Sequence, residues 1–247
     1  MLTQDRHSII LKLLQEKSSV TLTELMNILH TSESTIRRDL TALDKEGKLR
    51  KVFGGATSID FYSSDEKDIH TKHDLQRIEK NLIAKKAAHL VEKNDLVYLD
   101  AGTTTELIID HLVEYKATYI TNGTSHASKL ADRGFTAFVI SGQLKKSTAA
   151  IIGTYAVESL QSYNFTKGFF GTNGISLQAG FSTPDPTEAC VKKTAIKHCQ
   201  QAYILADSTK FDQITPITFA NLKDAVIITD VLKNKKYLDY TNVLEVL

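Results

Sequence analysis

Apolar residues recur at three- and four-residue intervals through the first 45 positions of the chain. Ile9, Ile10, Leu13 and Leu14 make one stripe, which predicts a helix from about Thr3 to Lys17. Thr21-Leu22-Thr23-Glu24 has the form of a capping box, Thr21 reaching the N3 amide and Glu24 reaching back. It opens a short helix carrying Leu25, Ile28 and Leu29. A tight connection at His30-Thr31 leads to Ser32, a good N-cap for a third helix. There Ile36, Leu40 and Leu43 share the buried face at i, i+4, i+7 spacing. Ser34, Arg38, Thr41 and Lys45 point the opposite way, with Arg37 on the flank. After Gly47 the alternation through Lys48–Val52, followed by Gly54-Gly55, predicts a small β-hairpin. Residues 1–57 are therefore expected to form a winged helix-turn-helix.

The pattern then changes. Residues 58–74 are polar and charged and predict a linker. A helix follows from about Leu75 to Glu92, with Ile78, Leu82, Ala84, Ala88 and Val91 as a looser apolar set. From there short β-rich runs alternate with helical stretches. The strand candidates are Leu96–Asp100, Thr118–Thr121, Ala137–Ser141, Lys167–Gly171, Tyr203–Asp207 and Val226–Thr229. Helices such as Thr104–Leu112 and Glu188–Cys199 fall between them. Apolar runs without strict alternation belong to parallel strands covered on both faces. Residues 75–247 are thus expected to be an α/β domain with a mostly parallel sheet.

Composition narrows the class without pointing to a partner. The 247 residues are 42% hydrophobic and 24% charged, which describes a globular chain, and the net charge of +1 leaves any nucleic-acid footprint to local clusters. The first 17 residues mix Asp5, Arg6, Lys12 and Glu16 with apolar positions, unlike a signal peptide. No apolar run approaches the roughly 20 residues of a membrane span. A soluble cytoplasmic protein is expected. Cys190 and Cys199 fall on one expected helix about 13 Å apart, too far for a disulfide. Of the eight histidines only His70 and His73 are locally paired, in the polar linker, so no metal site and no cofactor is expected.

The third helix has the chemistry of a DNA-reading helix. Short hydroxyls and long guanidiniums stand near its N-terminus, opposite a docking face. Ser34, Thr35, Arg37, Arg38 and Thr41 are expected to meet base edges and nearby phosphates of double-stranded DNA. Arg50 and Lys51 of the hairpin would ride the backbone or a neighbouring groove. The bland alternative is a solvated face on which Glu33 pairs with Arg37 at i, i+4. Because one such module rarely supplies enough specificity, a dimer or larger homo-oligomer is expected.

In the second domain Asp100-Ala101-Gly102-Thr103-Thr104-Thr105 ends a strand and opens a helix. Unpaired helix amides, the positive dipole end and threonine hydroxyls suit a phosphate monoester. Small polar residues recur after other strands, at Thr121-Asn122-Gly123, Ser141-Gly142, Gly171-Thr172-Asn173-Gly174 and Asp207-Ser208-Thr209-Lys210. Ligands of open α/β sheets bind beyond the carboxyl ends of the strands. The recurrence predicts a pocket for a small phosphorylated polyol, with Asp100 and Asp207 toward sugar hydroxyls and Lys210 toward the phosphate. Gly180–Glu188 is a turn-rich loop stiffened by Pro184 and Pro186. Glu188 and Lys192 beyond it are spaced as a helix ion pair, with Glu188 also a pocket candidate. Tyr155, Tyr163, Phe165, Phe169 and Phe170 are expected to be packing residues.

Ser34–Leu40, Gly54-Gly55-Ala56, Asp100–Thr105, Thr121-Asn122, Ala206–Lys210 and Ile228-Thr229-Asp230 together resemble the DeoR family of bacterial transcription regulators, nearly end to end. Gly171–Gly174 and Gly180–Pro186 look most like repressors of fructose-utilisation operons. Phe53 departs from the family, which often has histidine before the two glycines. The resemblance implies a sensor domain that binds a phosphorylated sugar, with fructose 1-phosphate the first choice, and a sugar phosphate that weakens operator binding. Phosphates of tagatose, galactitol or lactose pathways are the alternatives.

The sensor half is also similar in fold to ribose-5-phosphate isomerases and CoA transferases, which raises an enzyme as the rival reading. Isomerisation needs a carboxylate base over the reacting C–H. The isomerase pattern has an acidic pair after one strand and a lysine leading a glycine-rich loop. Here the first position is Gly171-Thr172-Asn173-Gly174 and the loop lacks both lysine and glycine run, so no catalytic residue is assigned. A scaffold without DNA contact leaves the arginine-rich face of the third helix unexplained.

Overall fold

The structure, a computed structural model, describes residues 2–17, 19–52, 54–57 and 75–247. The expected linker at 58–74, its His70/His73 pair and Phe53 lie outside the described residues.

Helix α1 (Thr3–Lys17), strand β1 (Ser19–Thr21), α2 (Leu22–Leu29), α3 (Glu33–Lys45), β2 (Arg50–Val52) and β3 (Gly55–Thr57) follow in order. Ile10, Leu14, Leu25, Leu29, Ile36, Leu40, Leu43 and Leu49 make their shared core. The capping box forms as expected: the Glu24 amide donates to the Thr21 hydroxyl at 3.1 Å and the Thr21 amide to the Glu24 carboxylate at 3.0 Å. Ile28 is a correction. It is exposed, and Leu22 takes its place in the core, because the apolar arc of this eight-residue helix runs through 22, 25 and 29. His30, at φ 47°, closes α2 in the left-handed region. Ser32 has the extended backbone of an N-cap, yet its hydroxyl bonds those of Ser34 (3.1 Å) and Thr35 (3.0 Å) instead of a helix amide.

The expected hairpin is the larger part of a three-stranded antiparallel sheet in the order β1-β3-β2. Gly55 is where the strands crowd: a Cβ there would stand 2.0 Å from the Val20 carbonyl oxygen. Gly54 turns the chain at φ +86°.

The remaining residues build a seven-stranded sheet whose neighbours are all parallel. Its strands are β4 (Leu96–Leu99), β5 (Thr118–Thr121), β6 (Thr136–Val139), β9 (Phe165–Gly171), β12 (Cys199–Leu205), β14 (Val226–Thr229) and β15 (Val243–Glu245), in the order β15-β14-β12-β9-β4-β5-β6. Helices α4 (Arg77–Ala88), α5 (Thr103–His111) and α6 (Thr124–Asp132) bury Ile83, Ala84, Ile108, Ile109 and Leu130 on one face. Helices α7 (Thr154–Gln161) and α8 (Pro186–Lys197) bury Ala156, Leu160, Val191 and Ala195 on the other. A hairpin, β7 (Gln143–Lys145) with β8 (Ala150–Ile152), and a small antiparallel sheet of β10 (Gly174–Ser176), β11 (Gly180–Thr183) and β13 (Ile217–Ala220) stand apart from the main sheet.

Three further expectations are corrected. Cys190 and Cys199 do not share a helix: α8 ends at Lys197, the His198 carbonyl accepts the Phe165 amide at 2.8 Å, and Cys199 opens β12. Both thiols are free, and burial pushes that of Cys199 up to about 12. In α4 the inward stripe is Ile83, Ala84, Ala87 and Ala88, so Ile78 faces solvent. Tyr155 is likewise exposed, whereas Phe165, Phe169 and Phe170 are core and Tyr163 stacks on Phe165.

Candidate functional site

The first site is the outer face of α3 with the wing. Arg37, Arg38, Thr41, Ala42, Lys45 and Lys51 line a concavity of about 440 Å³. Four cations meet there although the chain as a whole is near neutral, which is the local footprint that phosphate binding needs. Arg37 is half committed, its Nε 2.7 Å from the Glu33 carboxylate in an exposed i, i+4 pair. Arg38 is exposed and makes no hydrogen bond or ion pair among the described residues. Lys51 donates from Nζ to the Thr41 hydroxyl at 2.7 Å, and Thr41 donates to the Arg37 carbonyl at 2.7 Å. Wing and helix are thereby joined across the concavity. Arg50 stands exposed on β2 beside them.

The second site is the carboxyl-terminal edge of the parallel sheet. Aligned register brings the residues after β4, β5, β9 and β12 to one edge, since Leu99 pairs with Thr121 and Phe169, and Gly171 with Leu205. Gly102 caps α5 with no side-chain acceptor for the helix amides. The Thr103 and Thr104 hydroxyls have no partner among the described residues, while Thr105 turns inward. Its hydroxyl donates to the Asp100 carbonyl at 2.5 Å and lies 3.2 Å from His126 Nε2. Two of the three threonines, with the open amides, are thus left for an anion.

Thr121 and Asn122 are buried and shape the edge from below. The Thr121 hydroxyl donates to the Leu99 carbonyl at 2.6 Å, and Asn122 Oδ1 accepts the Ala101 amide at 2.7 Å. Gly142 packs against β8, where a Cβ would be 2.7 Å from the Ile152 carbonyl oxygen. The Asn173 side chain accepts from the Thr183 hydroxyl at 3.2 Å. Asp207 caps the turn Ser208–Lys210 by accepting the Thr209 amide at 3.0 Å, and Lys210 Nζ lies 3.5 Å from its carboxylate.

Between these groups lies a charge cluster that the sequence did not reveal. The expected Glu188–Lys192 helix pair is not made, because each residue finds a partner from another element. Lys192 donates to the Asp100 carboxylate and, at 3.1 Å, to the Gly171 carbonyl. Glu188 accepts from Lys145 at 3.1 Å and from the Thr148 hydroxyl at 2.7 Å. Lys145 also holds Asp185 at 2.8 Å, which fastens the β7–β8 hairpin to the start of α8. Burial holds the Asp100 carboxyl above the ordinary carboxylate range, against the Lys192 charge and the Gly171 amide. Burial pushes the Asp185 carboxyl the same way, but Lys145, Thr187 and the Glu188 amide outweigh it and hold it well below that range. Lys145 and Thr148 lie on a hairpin that apolar periodicity does not mark. The partner of Lys192, Asp100, could have been found only by knowing which strand α8 covers.

No group of three or more His, Cys, Asp or Glu among the described residues has the arrangement of a metal site. No helix among them is long and apolar enough to cross a membrane.

Comparison with known proteins agrees with this geometry. The DeoR-like helix-turn-helix domain matches residues 6–61 and the DeoR C terminal sensor domain matches residues 75–231. A Bacillus subtilis (strain 168) protein named "Uncharacterized HTH-type transcriptional regulator FruR" is 42% identical over 236 residues, covering 93% of this chain and 91% of that protein. The lactose phosphotransferase system repressor of Streptococcus mutans is 31% identical over 251 residues, covering 99% and 100%. Among solved structures, ribose 5-phosphate isomerase A from Neisseria gonorrhoeae aligns with a TM-score of 0.41 at 14% identity, over 58% of this chain and 55% of that one. That likeness is too loose to carry any inference about chemistry. Matched along both halves, and with its helix-turn-helix and sensor sheet in place, the chain belongs to the DeoR family of transcription regulators.

Proposed function

We propose that this chain is a cytoplasmic repressor of a sugar-utilisation operon. It binds double-stranded operator DNA as a homo-oligomer, through Ser34, Thr35, Arg37, Arg38, Thr41, Arg50 and Lys51, and a phosphorylated sugar releases it. The observation that carries the sensor half is the start of α5, where the buried Thr103 and Thr104 hydroxyls have no partner among the described residues and the helix has no side-chain cap. A phosphate dianion suits that arrangement, since charge-assisted hydrogen bonds are about twice as strong as neutral ones. Asp100, Gly171, Asn173, Glu188 and Asp207 border the sugar, with Lys210 toward the phosphate and Thr105, Thr121, Asn122 and Gly142 shaping the floor.

Fructose 1-phosphate is the first candidate effector, supported by identity to the protein named FruR. A lactose-pathway sugar phosphate is the second, supported by relatives named lactose phosphotransferase system repressors. The family match and the regulator names of these relatives favour this reading over an isomerase. The test is a gel-shift titration on the DNA upstream of the chain's own gene, with each sugar phosphate added in turn. Binding that no sugar phosphate relieves, or no specific binding, overturns the proposal.

A further inference from the structure

The two edges of the seven-stranded sheet are built differently. At one, β15 carries Glu245, whose carboxylate accepts the Leu232 amide at 2.8 Å and Lys235 Nζ at 2.7 Å. Charges on an edge strand keep it from pairing with another chain. At the other, β6 consists of Thr136, Ala137, Phe138 and Val139, and residues 134–144 contain neither a charge nor a proline. Phe138 is 54% exposed and Val139 45%, one on each face of the strand. Among the described residues no strand lies beyond β6 and no backbone hydrogen bond reaches its outer side. The apolar surface continues past the strand. The Ser141 hydroxyl donates to the Tyr155 carbonyl at 3.2 Å, which sets the first turn of α7 beside the end of β6, and Tyr155 is 72% exposed.

We infer that β6 is the surface through which two copies of this chain associate, the β6 strands running antiparallel across a twofold axis and joining the two sheets. An edge strand is self-complementary under that operation, because each copy offers the other the donors and acceptors it lacks. The absence of charge gives a partner of opposite sign nothing to match, and leaves two identical edges nothing to repel. The exposed parts of Phe138, Val139, Leu144 and Tyr155 amount to about 400 Å² per protomer, taking roughly 150–250 Å² for each aromatic side chain. That is about half of the roughly 800 Å² a standard interface buries per side, leaving the strand backbone and a polar rim to complete it. The need for a second copy rests on the regulatory reading, in which two reading helices engage two half-sites.

Sedimentation velocity of the full chain tests the interface, using Phe138→Lys, Phe138→Glu and an equimolar mixture of the two. Wild type should sediment as a dimer or a multiple of it. Each variant alone should fall to half that mass with an unchanged melting temperature, and the mixture should regain it, because opposite charges then face each other near the axis. If Phe138→Lys lowers the melting temperature, Thr136→Lys, at another exposed position of the strand, replaces it and is mixed with Thr136→Glu. A monomeric wild type, a variant that keeps the wild-type mass, or a mixture that stays small overturns the inference. Gel shifts on the same wild-type sample separate the two ideas. An oligomer indifferent to these substitutions that still binds operator DNA sinks the interface alone. An oligomer that behaves as described but binds no DNA sinks the regulatory reading alone.

Discussion

Arg6 on α1 grips Asp39 on α3 with two hydrogen bonds, Nε to Oδ2 at 2.7 Å and a second guanidinium nitrogen to Oδ1 at 3.0 Å, while His7 stands 3.3 Å away. Asp39 is buried next to Arg38, which is exposed on the same helix. Under the proposed function, α3 is thus held from behind by a carboxylate whose neighbour is left to contact DNA.

That pair predicts an acid sensitivity of the reading domain. Burial alone would raise the Asp39 carboxyl, but the hydrogen bond and charge of Arg6, with His7, outweigh it and hold it below the usual carboxylate range. A group depressed in the folded state contributes fully above its unfolded value, about 4, and loses that contribution as pH falls through the folded value. Asp39→Asn should lower the first melting transition at pH 7 by roughly 5 °C, the effect of about 1 kcal/mol on so small a domain. The difference from wild type should shrink as pH falls below about 4. Calorimetry at several pH values checks it, and a difference that grows toward acid contradicts the assignment.

The two cation classes on the DNA face should separate in binding. Arg38→Ala should weaken specific operator binding by about 1–3 kcal/mol and relax sequence preference. Lys51→Ala should weaken binding to all duplexes alike and flatten the salt dependence. Titrations on operator and random DNA at two salt concentrations distinguish them. Arg38→Ala with unchanged operator affinity would mean that α3 is not the reading helix.

In the sensor half, fructose 1-phosphate at 100 times its Kd should stabilise the protein by about 2.7 kcal/mol, whereas free fructose at the same concentration should do little. Thr104→Val and Lys210→Ala should each abolish the melting shift and leave DNA binding intact, giving repressors that do not release. Thr105→Val should behave differently, lowering stability with or without ligand, because its hydroxyl serves the Asp100 carbonyl. Equal shifts with fructose and its phosphate would defeat the phosphate assignment.

Lys192→Met should be among the most damaging single substitutions in the sensor domain. It strands the Asp100 carboxylate in the core beside the Gly171 amide, a loss of about 3–5 kcal/mol for a broken buried pair. Adding Asp100→Asn should recover a large part of it, since the uncompensated charge goes too. Urea unfolding of the four corners of the cycle measures the coupling, and additive losses would show that the two residues act independently.

Local signals in the sequence were enough for the three helices and the hairpin of the N-terminal domain, because a capping box, an i, i+4, i+7 stripe and a Gly-Gly turn each act within a few residues. β1 escaped because Ser19-Val20-Thr21 is too short to show a period, and it exists only by pairing with Thr57, Ala56 and Gly55. In the sensor domain the parallel strands were visible as apolar runs, but their limits moved by up to four residues where a tertiary contact decided them, as at Cys199. The Asp100–Lys192 contact joins residues 92 apart in sequence, and Lys145–Glu188 joins residues 43 apart. No spacing rule reaches that far, so Glu188 and Lys192 looked like each other's partners.

Under the proposed function, the third strand beneath the wing also constrains the operator. With Gly55 pressed against Val20, and Lys51 bonded to Thr41, Arg50 has a fixed offset from Arg38. A half-site must then present its bases and its flanking backbone in constant phase. Inserting one base pair between the stretch under α3 and the stretch under the wing should rotate one contact away from the other and weaken binding.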